Sequence, residues 1–318
     1  MTQEIIDPVP VEQLEAELTP EHFLRHTNKG GNEIYVLTAH SAPNVMREIG
    51  RLREISFRAA GGGTGKDCDI DEFDTMPNPC RQLIVWDPDS RQILGGYRYI
   101  CGRDIVTDAE TGAPRIATAH MFRFSEKFMR DYLPYTIELG RSFVRPEYQS
   151  SKAGAKAIYA LDNLWDGLGS LTVVHPEIRY LFGKVTMYPE YIPHCRDLIL
   201  YFLRRHFPDN DELVRPIHPL ETTSKDTEMA AILTGTDYRS DYRALNAEVH
   251  RCGVAIPPLV NAYMSLSPTM RVFGTAINDE FGDVEETGIL LAVSEILDEK
   301  KARHISTYIP TDDLTEEA

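Results

Sequence analysis

Apolar positions along the chain follow two rhythms, a helical one of three to four residues and a strand one of two, and their alternation predicts an α/β protein. The first thirty residues are expected to form two short helices, the second opening at Thr19-Pro20-Glu21, a capping residue followed by proline at the first helical position. Gly30, Gly31 and Asn32 interrupt the chain. A strand over Ile34–Thr38 and a helix over about Asn44–Arg58 follow, the helix with Val45, Ile49 and Leu52 on one face. Gln82–Trp86 and Gln92–Ile100 have the alternation of strands and are joined through Asp87, Pro88, Asp89 and Ser90 as a hairpin.

Residues 102–133 are irregular, with a short helix around Ser125–Asp131. A buried strand then runs from Ile137 to Val144 and stops at Pro146. Beyond the polar loop Gln149–Gly154 a helical period passes through Ile158, Leu161, Leu164, Trp165 and Leu168. Arg179–Met187 predicts another strand and Tyr191–His206 an amphipathic helix. The polar, turn-rich stretch from Pro208 to Asp237 has the character of a linker or surface excursion. Helices over Tyr242–Arg251 and Ile256–Leu266 and strands over Met270–Ala276 and Thr287–Val293 complete the pattern. The expected organisation is an N-terminal helical segment (1–30), a core (31–206), a linker or surface excursion (207–240), a C-terminal α/β extension (241–305) and a disordered tail (306–318).

Composition narrows the class. With 318 residues, 42% hydrophobic and 26% charged, the chain can bury a large core, and no apolar run approaches the eighteen or so residues of a membrane span. The acidic start, without a basic and then apolar stretch, is no secretory signal. Five cysteines with no Cys-x-x-Cys argue against a disulfide framework or a zinc knuckle and predict a reduced, cytoplasmic setting. A net charge of −16 excludes general nucleic-acid binding.

Three stretches carry candidate chemistry. The strand–loop–helix around Val144–Gly154 would aim several backbone N–H groups at one point with a helix dipole behind them, an arrangement suited to phosphate. Glu138 and Arg141 interrupt the apolar strand before it, and Arg98 interrupts Gly95-Gly96-Tyr97-Arg98-Tyr99; charges in such settings serve either as a structural ion pair or as functional groups. The loop from Gly61 to Asp74 contains GGGTGK, but it follows a helix, has the wrong glycine spacing and lacks a Ser or Thr after Lys66, so it is no nucleotide P-loop. A flexible acidic lid beside a substrate site is the expectation for it. No Gly-x-Ser-x-Gly occurs, the histidines fit no metal-ligand spacing, and His194-Cys195 opens an amphipathic helix rather than a catalytic turn.

Leu52-Arg53 with Phe57, the acidic pair Asp71 and Asp74, Arg98 after Gly95-Gly96, and Glu138-Leu139-Gly140-Arg141-Ser142-Phe143-Val144 followed by Pro146-Glu147-Tyr148 together resemble the GNAT acyltransferase superfamily. More narrowly, they resemble its hemolysin-like branch of ornithine-lipid synthases, whose front half is shared by acyl-homoserine-lactone synthases. Pro257-Pro258-Leu259-Val260-Asn261-Ala262-Tyr263, through Phe273 and Phe281, is similar to the segment that ornithine-lipid synthases have and lactone synthases lack.

The resemblance implies a GNAT-like mixed central sheet flanked by helices, with the acyl donor in a V between two strands. It implies an N-acyltransferase moving a long, 3-hydroxylated or plain, acyl chain to the α-amine of ornithine or glycine. No tightly bound cofactor is expected. The loop QSSKAG lacks the paired glycines of acetyl-CoA enzymes, so an acyl carrier protein, ahead of acyl-CoA, is the expected donor and partner. A cytoplasmic protein, with room for peripheral contact at the inner face of the membrane, goes with that reading.

Transfer of an acyl group to an amine needs a base and an oxyanion donor. Glu138 is the candidate base, with Arg141 and Arg98 beside it as catalytic residues. Arg53, Phe57, Asp71 and Asp74 are candidate substrate-binding residues, the arginines either holding an amino-acid carboxylate or locking the acidic loop. Val144 through its N–H, with Arg145, Gln149, Ser150, Ser151, Lys152, Ala153 and Gly154, would take the donor's phosphopantetheine; no metal is called for. The alternatives are an acyl-homoserine-lactone-type signal synthase and a non-catalytic acyl-binding or membrane-interacting protein.

Overall fold

The computed structural model describes residues 2–149 and 155–310, with the backbone alone for 155–158. In chain order its elements are α1 (Val11–Glu17), β1 (Phe23–His26), β2 (Glu33–Leu37), α2 (Pro43–Ala59), α3 (Glu72–Thr75), β3 (Arg81–Asp87), β4 (Gln92–Cys101), β5 (Phe122–Phe124), α4 (Glu126–Asp131), β6 (Thr136–Val144), α5 (Ala155–Val174), β7 (Tyr180–Met187), α6 (Pro193–His206), β8 (Val214–Pro216), α7 (Asp226–Ile232), α8 (Tyr238–Arg251), α9 (Pro258–Met264), β9 (Arg271–Asn278), β10 (Val284–Ala292) and α10 (Asp298–His304). Eight strands form one sheet in the order β1-β2-β3-β4-β6-β7-β10-β9, and β5 pairs with β8 in a small second sheet. The mixed α/β architecture expected from the sequence is what the chain adopts.

Neighbouring strands of the large sheet are antiparallel except β6 and β7, which are parallel and paired only over Thr136–Glu138 and Tyr180–Phe182. Past that point β6 leans on β4 and β7 on β10, so a gap opens in the middle of the sheet. Side chains alternate across β6 as the pleat requires. Ile137 and Leu139 join the core beneath α5, with Leu164, Leu168, Leu198 and Phe202. Phe182 and Ile100, flanking Glu138 in register, belong to the core on the other face, with Phe122, Phe128 and Phe273. A third cluster packs α2, through Val45, Met46, Ile49 and Leu52, on Ile84 and Trp86 of β3.

Several expectations are corrected. The second N-terminal helix is a single 3-10 turn, Pro20–His22, and Phe23–His26 is instead the edge strand β1, whose four residues are too few for a period to show. Residues 207–240, expected as a linker or surface excursion, contain β8 and α7 and bury Leu213, Val214, Met229 and Leu233 among otherwise polar neighbours. The C-terminal extension is continuous with the sheet: β10 pairs with every residue of β7. Of the tail, 311–318 lie outside the described residues, while Tyr308 is buried against Arg25.

Candidate active site

The geometry of the gap begins with a bulge. Gly96 pairs with Phe143 but Arg98 pairs with Gly140, so β6 carries one residue more than β4. Arg141 takes up the excess in a left-handed conformation, φ 46°, uncommon for a side chain with a Cβ. On the other strand, a Cβ at Gly95 would come within 2.5 Å of the Phe143 carbonyl oxygen, so only glycine lets β4 approach β6 there.

Arg53 on α2, Arg98 on β4 and Arg141 on β6 converge, as the sequence suggested, and what they meet is the acidic loop. Arg53 donates to Asp74 at 3.1 Å and to the Gln82 side-chain oxygen at 2.5 Å. Arg98 grips Asp71 at 2.6 and 2.7 Å and reaches Asp74 at 3.3 Å. Arg141 donates to Asp69 at 2.9 Å and lies 4.5 Å over the ring of Phe281. Asp71 and Asp74 also cap α3 reciprocally, each side chain accepting from the other's backbone N–H. Burial alone would raise the Asp71 carboxyl, but Arg98, with Arg141 and Arg53 behind it, outweighs that and holds it well below the usual carboxylate range.

The loop expected as a flexible lid is thus a buried brace, with the side chains of Asp69 and Asp74 almost wholly enclosed. Its glycine-rich start is tied down as well. Thr64 N–H and Gly65 N–H donate to the buried carboxylate of Glu54, which fills internally what a P-loop would offer to phosphate.

Glu138 sits where β6 and β7 part, 2% exposed. Its Oε1 has no hydrogen-bond partner among the described residues. Burial pushes its carboxyl up, against the opposing pull of Arg98 and Lys184 and of the nearby Thr118 hydroxyl. Beside it the gap forms a groove of about 180 Å³, lined on one wall by Leu139, Gly140, Arg141 and Ser142 and on the other by Lys184, Thr186, Tyr188 and Glu286. Glu138 itself is not among the residues that line this groove. Phe57 lines the groove and meets Phe281 edge-on at 4.9 Å, so it serves both packing and the site.

Among the residues expected to hold the donor, Arg145 N–H donates to Leu94. Strand alternation therefore turns the amide of Val144 the other way, toward the open edge of β6. The Val144 carbonyl accepts from the Gln149 side chain at 2.6 Å, and Arg145 pairs with Gln92 and Glu147. Ser150, Ser151, Lys152, Ala153 and Gly154 lie outside the described residues.

Lys184, Thr186 and Glu286 escaped sequence reasoning, as did Gln82 and Thr118. A lone lysine in the apolar strand YLFGKVTM was the same signal that had marked Arg98. His194 and Cys195 make no catalytic pair: His194 bonds Glu248 at 3.1 Å, and burial, with Cys252 beside it, pushes the Cys195 thiol up to about 12. No metal-binding cluster occurs among the described residues, and no described helix is long and apolar enough to cross a membrane. A larger cavity of about 540 Å³ lies at the far end of β7 and β10. There Arg271 is tied to Asp211 and Arg179 stacks on Tyr135, and among the residues singled out above none lines it.

Comparison with known proteins gives the family. Residues 52–158 match the family model of the acetyltransferase (GNAT) domain. The chain is 62% identical to a glycine N(alpha)-acyltransferase of Bacteroides thetaiotaomicron over 96% of its own length and 91% of the relative's. It is 26% identical to an L-ornithine N(alpha)-acyltransferase of Brucella abortus over 88% and 89%. Among solved structures it is similar to a CoA-dependent acyl-homoserine lactone synthase, BjaI, with a TM-score of 0.37 at 12% identity, over 90% of this chain and 97% of that one. The chain belongs to the family of the glycine and L-ornithine N(alpha)-acyltransferases, on a GNAT fold, and is an N-acyltransferase.

Proposed function

We propose that the chain transfers a long fatty acyl group, 3-hydroxylated or plain, from an acyl carrier protein thioester to the α-amine of glycine, giving a lyso-form amino-acid lipid. The observation that carries this reading is the groove where β6 and β7 separate, with Glu138, its carboxyl raised by burial, in the last residue pair that joins the two strands. An acyl thioester laid in the groove would present its carbonyl oxygen to the Val144 N–H. The acceptor arrives as an ammonium and gives one proton to Glu138 through a bridging water, since Glu138 does not itself line the groove. The neutral nitrogen attacks the thioester carbon, the carbon–nitrogen bond forms and the carbon–sulfur bond breaks. The second proton ends on the departing thiol.

Glycine as acceptor is supported by the relative at 62% identity and by the charges of the site. Asp69, Asp71 and Asp74 each hold an arginine, and Glu286 is the one carboxylate among the described groove-lining residues, so beyond the α-amine's partner none faces the groove for the second ammonium of ornithine. The carrier-protein donor rests on the loop QSSKAG and its departure from the acetyl-CoA pattern.

The test is mass spectrometry of the products of purified protein given glycine or ornithine, with acyl carrier protein and CoA thioesters of the same chain side by side. Acylglycine from the carrier thioester is expected, with a loss of about 10²- to 10⁴-fold in Glu138→Gln. Acylornithine would overturn the acceptor, a CoA preference the donor, and an undiminished Glu138→Gln the base.

A further inference from the structure

We propose that Lys184 and Glu286, diagonal neighbours across β7 and β10 in the groove wall, form the seat of the acceptor amino acid, the Lys184 ammonium taking its α-carboxylate and the Glu286 carboxylate its α-ammonium. The proposal rests on the reading of the protein as an acyltransferase acting on an amino acid, and it names the residues that bind that substrate.

Of the arginines expected to hold a substrate carboxylate, Arg53 and Arg98 do not line the groove and Arg141 does, but all three are engaged by loop aspartates. Lys184 is the other cation of the groove lining. Its ammonium has three donors, and among the described residues one of them is used, to Glu286 at 2.9 Å. Glu286 in turn accepts from Thr186 at 3.3 Å.

The sheet does not need this pair. β7 and β10 are joined residue by residue along the whole of β7. A buried ion pair adds little to stability compared with apolar residues of the same size, because desolvation offsets the attraction. Yet Lys184 and Glu286 are nearly enclosed, 10% and 2% exposed at the side chain, in the wall of a groove that otherwise carries Phe57, Tyr97, Tyr188 and Phe281. An ammonium and a carboxylate 2.9 Å apart are complementary to an amino-acid zwitterion, whose own two charges are separated by one carbon. Such a ligand exchanges one ion pair for two without leaving any charge alone. Lys184 is two residues along β7 from Phe182, the register partner of Glu138, and its charge acts on the Glu138 carboxyl, so an amine held there is near the proposed base.

Glycine and glycinamide are the probes, because they differ only in the carboxylate. In steady-state assays with one acyl thioester, the natural chain is expected to favour glycine by on the order of 10- to 100-fold in kcat/KM, the effect of a charge-assisted hydrogen bond. Lys184→Met is expected to collapse that ratio, chiefly through a raised KM for glycine, and Lys184→Arg to keep most of it. Because Lys184→Met leaves Glu286 without its cation, the double variant Lys184→Met/Glu286→Gln, neutral at both positions, is measured beside it. A retained glycine preference in the folded double variant overturns the proposal, since a merely structural pair would leave that ratio unchanged. If the natural chain acylates neither compound, the acyltransfer reading to glycine has failed, and the seat is judged by thermal shift with millimolar glycine. A shift present in the natural chain and absent in the double variant upholds the seat; no shift in the natural chain overturns it.

Discussion

Glu138 is a carboxyl placed where its charge is poorly solvated, with Oε1 unmatched and the nearest cations, Arg98 and Lys184, turned to other partners. The consequence for activity is an acid limb of the kcat–pH profile lying above the ordinary glutamate value of 4.5, since a base must be ionised to accept a proton. The consequence for stability has the opposite sense. A carboxyl whose folded pKa is raised binds its proton more tightly in the native state. Its favourable contribution is therefore complete below the unfolded pKa and is lost as pH rises through the folded one. Glu138→Gln should accordingly melt at a higher temperature than the natural chain at neutral pH, with the difference vanishing below about pH 4.5. Differential scanning calorimetry at several pH values checks this, and a variant less stable at pH 7 would show that the charge is well paired after all.

At the scale of elements, the site is made by a one-residue bulge and a braced loop, two features that periodicity does not encode. Alternation located β4, β6 and α2 to within a few residues because each buries an apolar face; the stray charges in β4 and β6 identified Arg98, Arg141 and Glu138, and the family resemblance added Arg53 on α2. The same alternation is blind to the bulge, which adds a residue without changing which residues are apolar. Left-handed backbone at Arg141 gives this feature a measurable signature. In a regular strand, glycine in place of alanine is destabilising. At position 141 the order should reverse, Arg141→Gly being more stable than Arg141→Ala by about 1 kcal/mol, because both lose the bond to Asp69 and only glycine relaxes at positive φ. Urea titration of the two variants decides it, and the ordinary order would mean that the bulge moves elsewhere once the guanidinium is gone. The acidic loop was misjudged for a related reason. Glycine and aspartate in a row are the composition of a mobile segment, and only the convergence of three arginines from α2, β4 and β6 makes them a brace.

Across the whole molecule, chain order and spatial order part company in the second half. The sequence showed where strands and helices fall there, but its polar stretch at 207–240 suggested a break that the fold does not make. Pairing between β7 and β10 joins residues about a hundred positions apart, and no local pattern announces such a contact. The same pairing carries Glu286 into the groove beside Lys184, and the turn before β10 carries Phe281 onto Phe57 and Arg141. A chain ended at His206 would keep every residue singled out at first for catalysis, yet it would leave β7 as an open edge and strip the cover of α8 and α9 from Leu198, Phe202 and Tyr97. An exposed strand of that length with an apolar face invites association. The truncated chain is therefore expected to be aggregated or to bind a hydrophobic dye without a cooperative melt. Near-UV circular dichroism and size-exclusion chromatography read these outcomes. A soluble, cooperatively melting 1–206 would mean that the front half is a self-sufficient unit and that the last third was added to a finished sheet; aggregation would mean that the groove exists only when both halves close on β7.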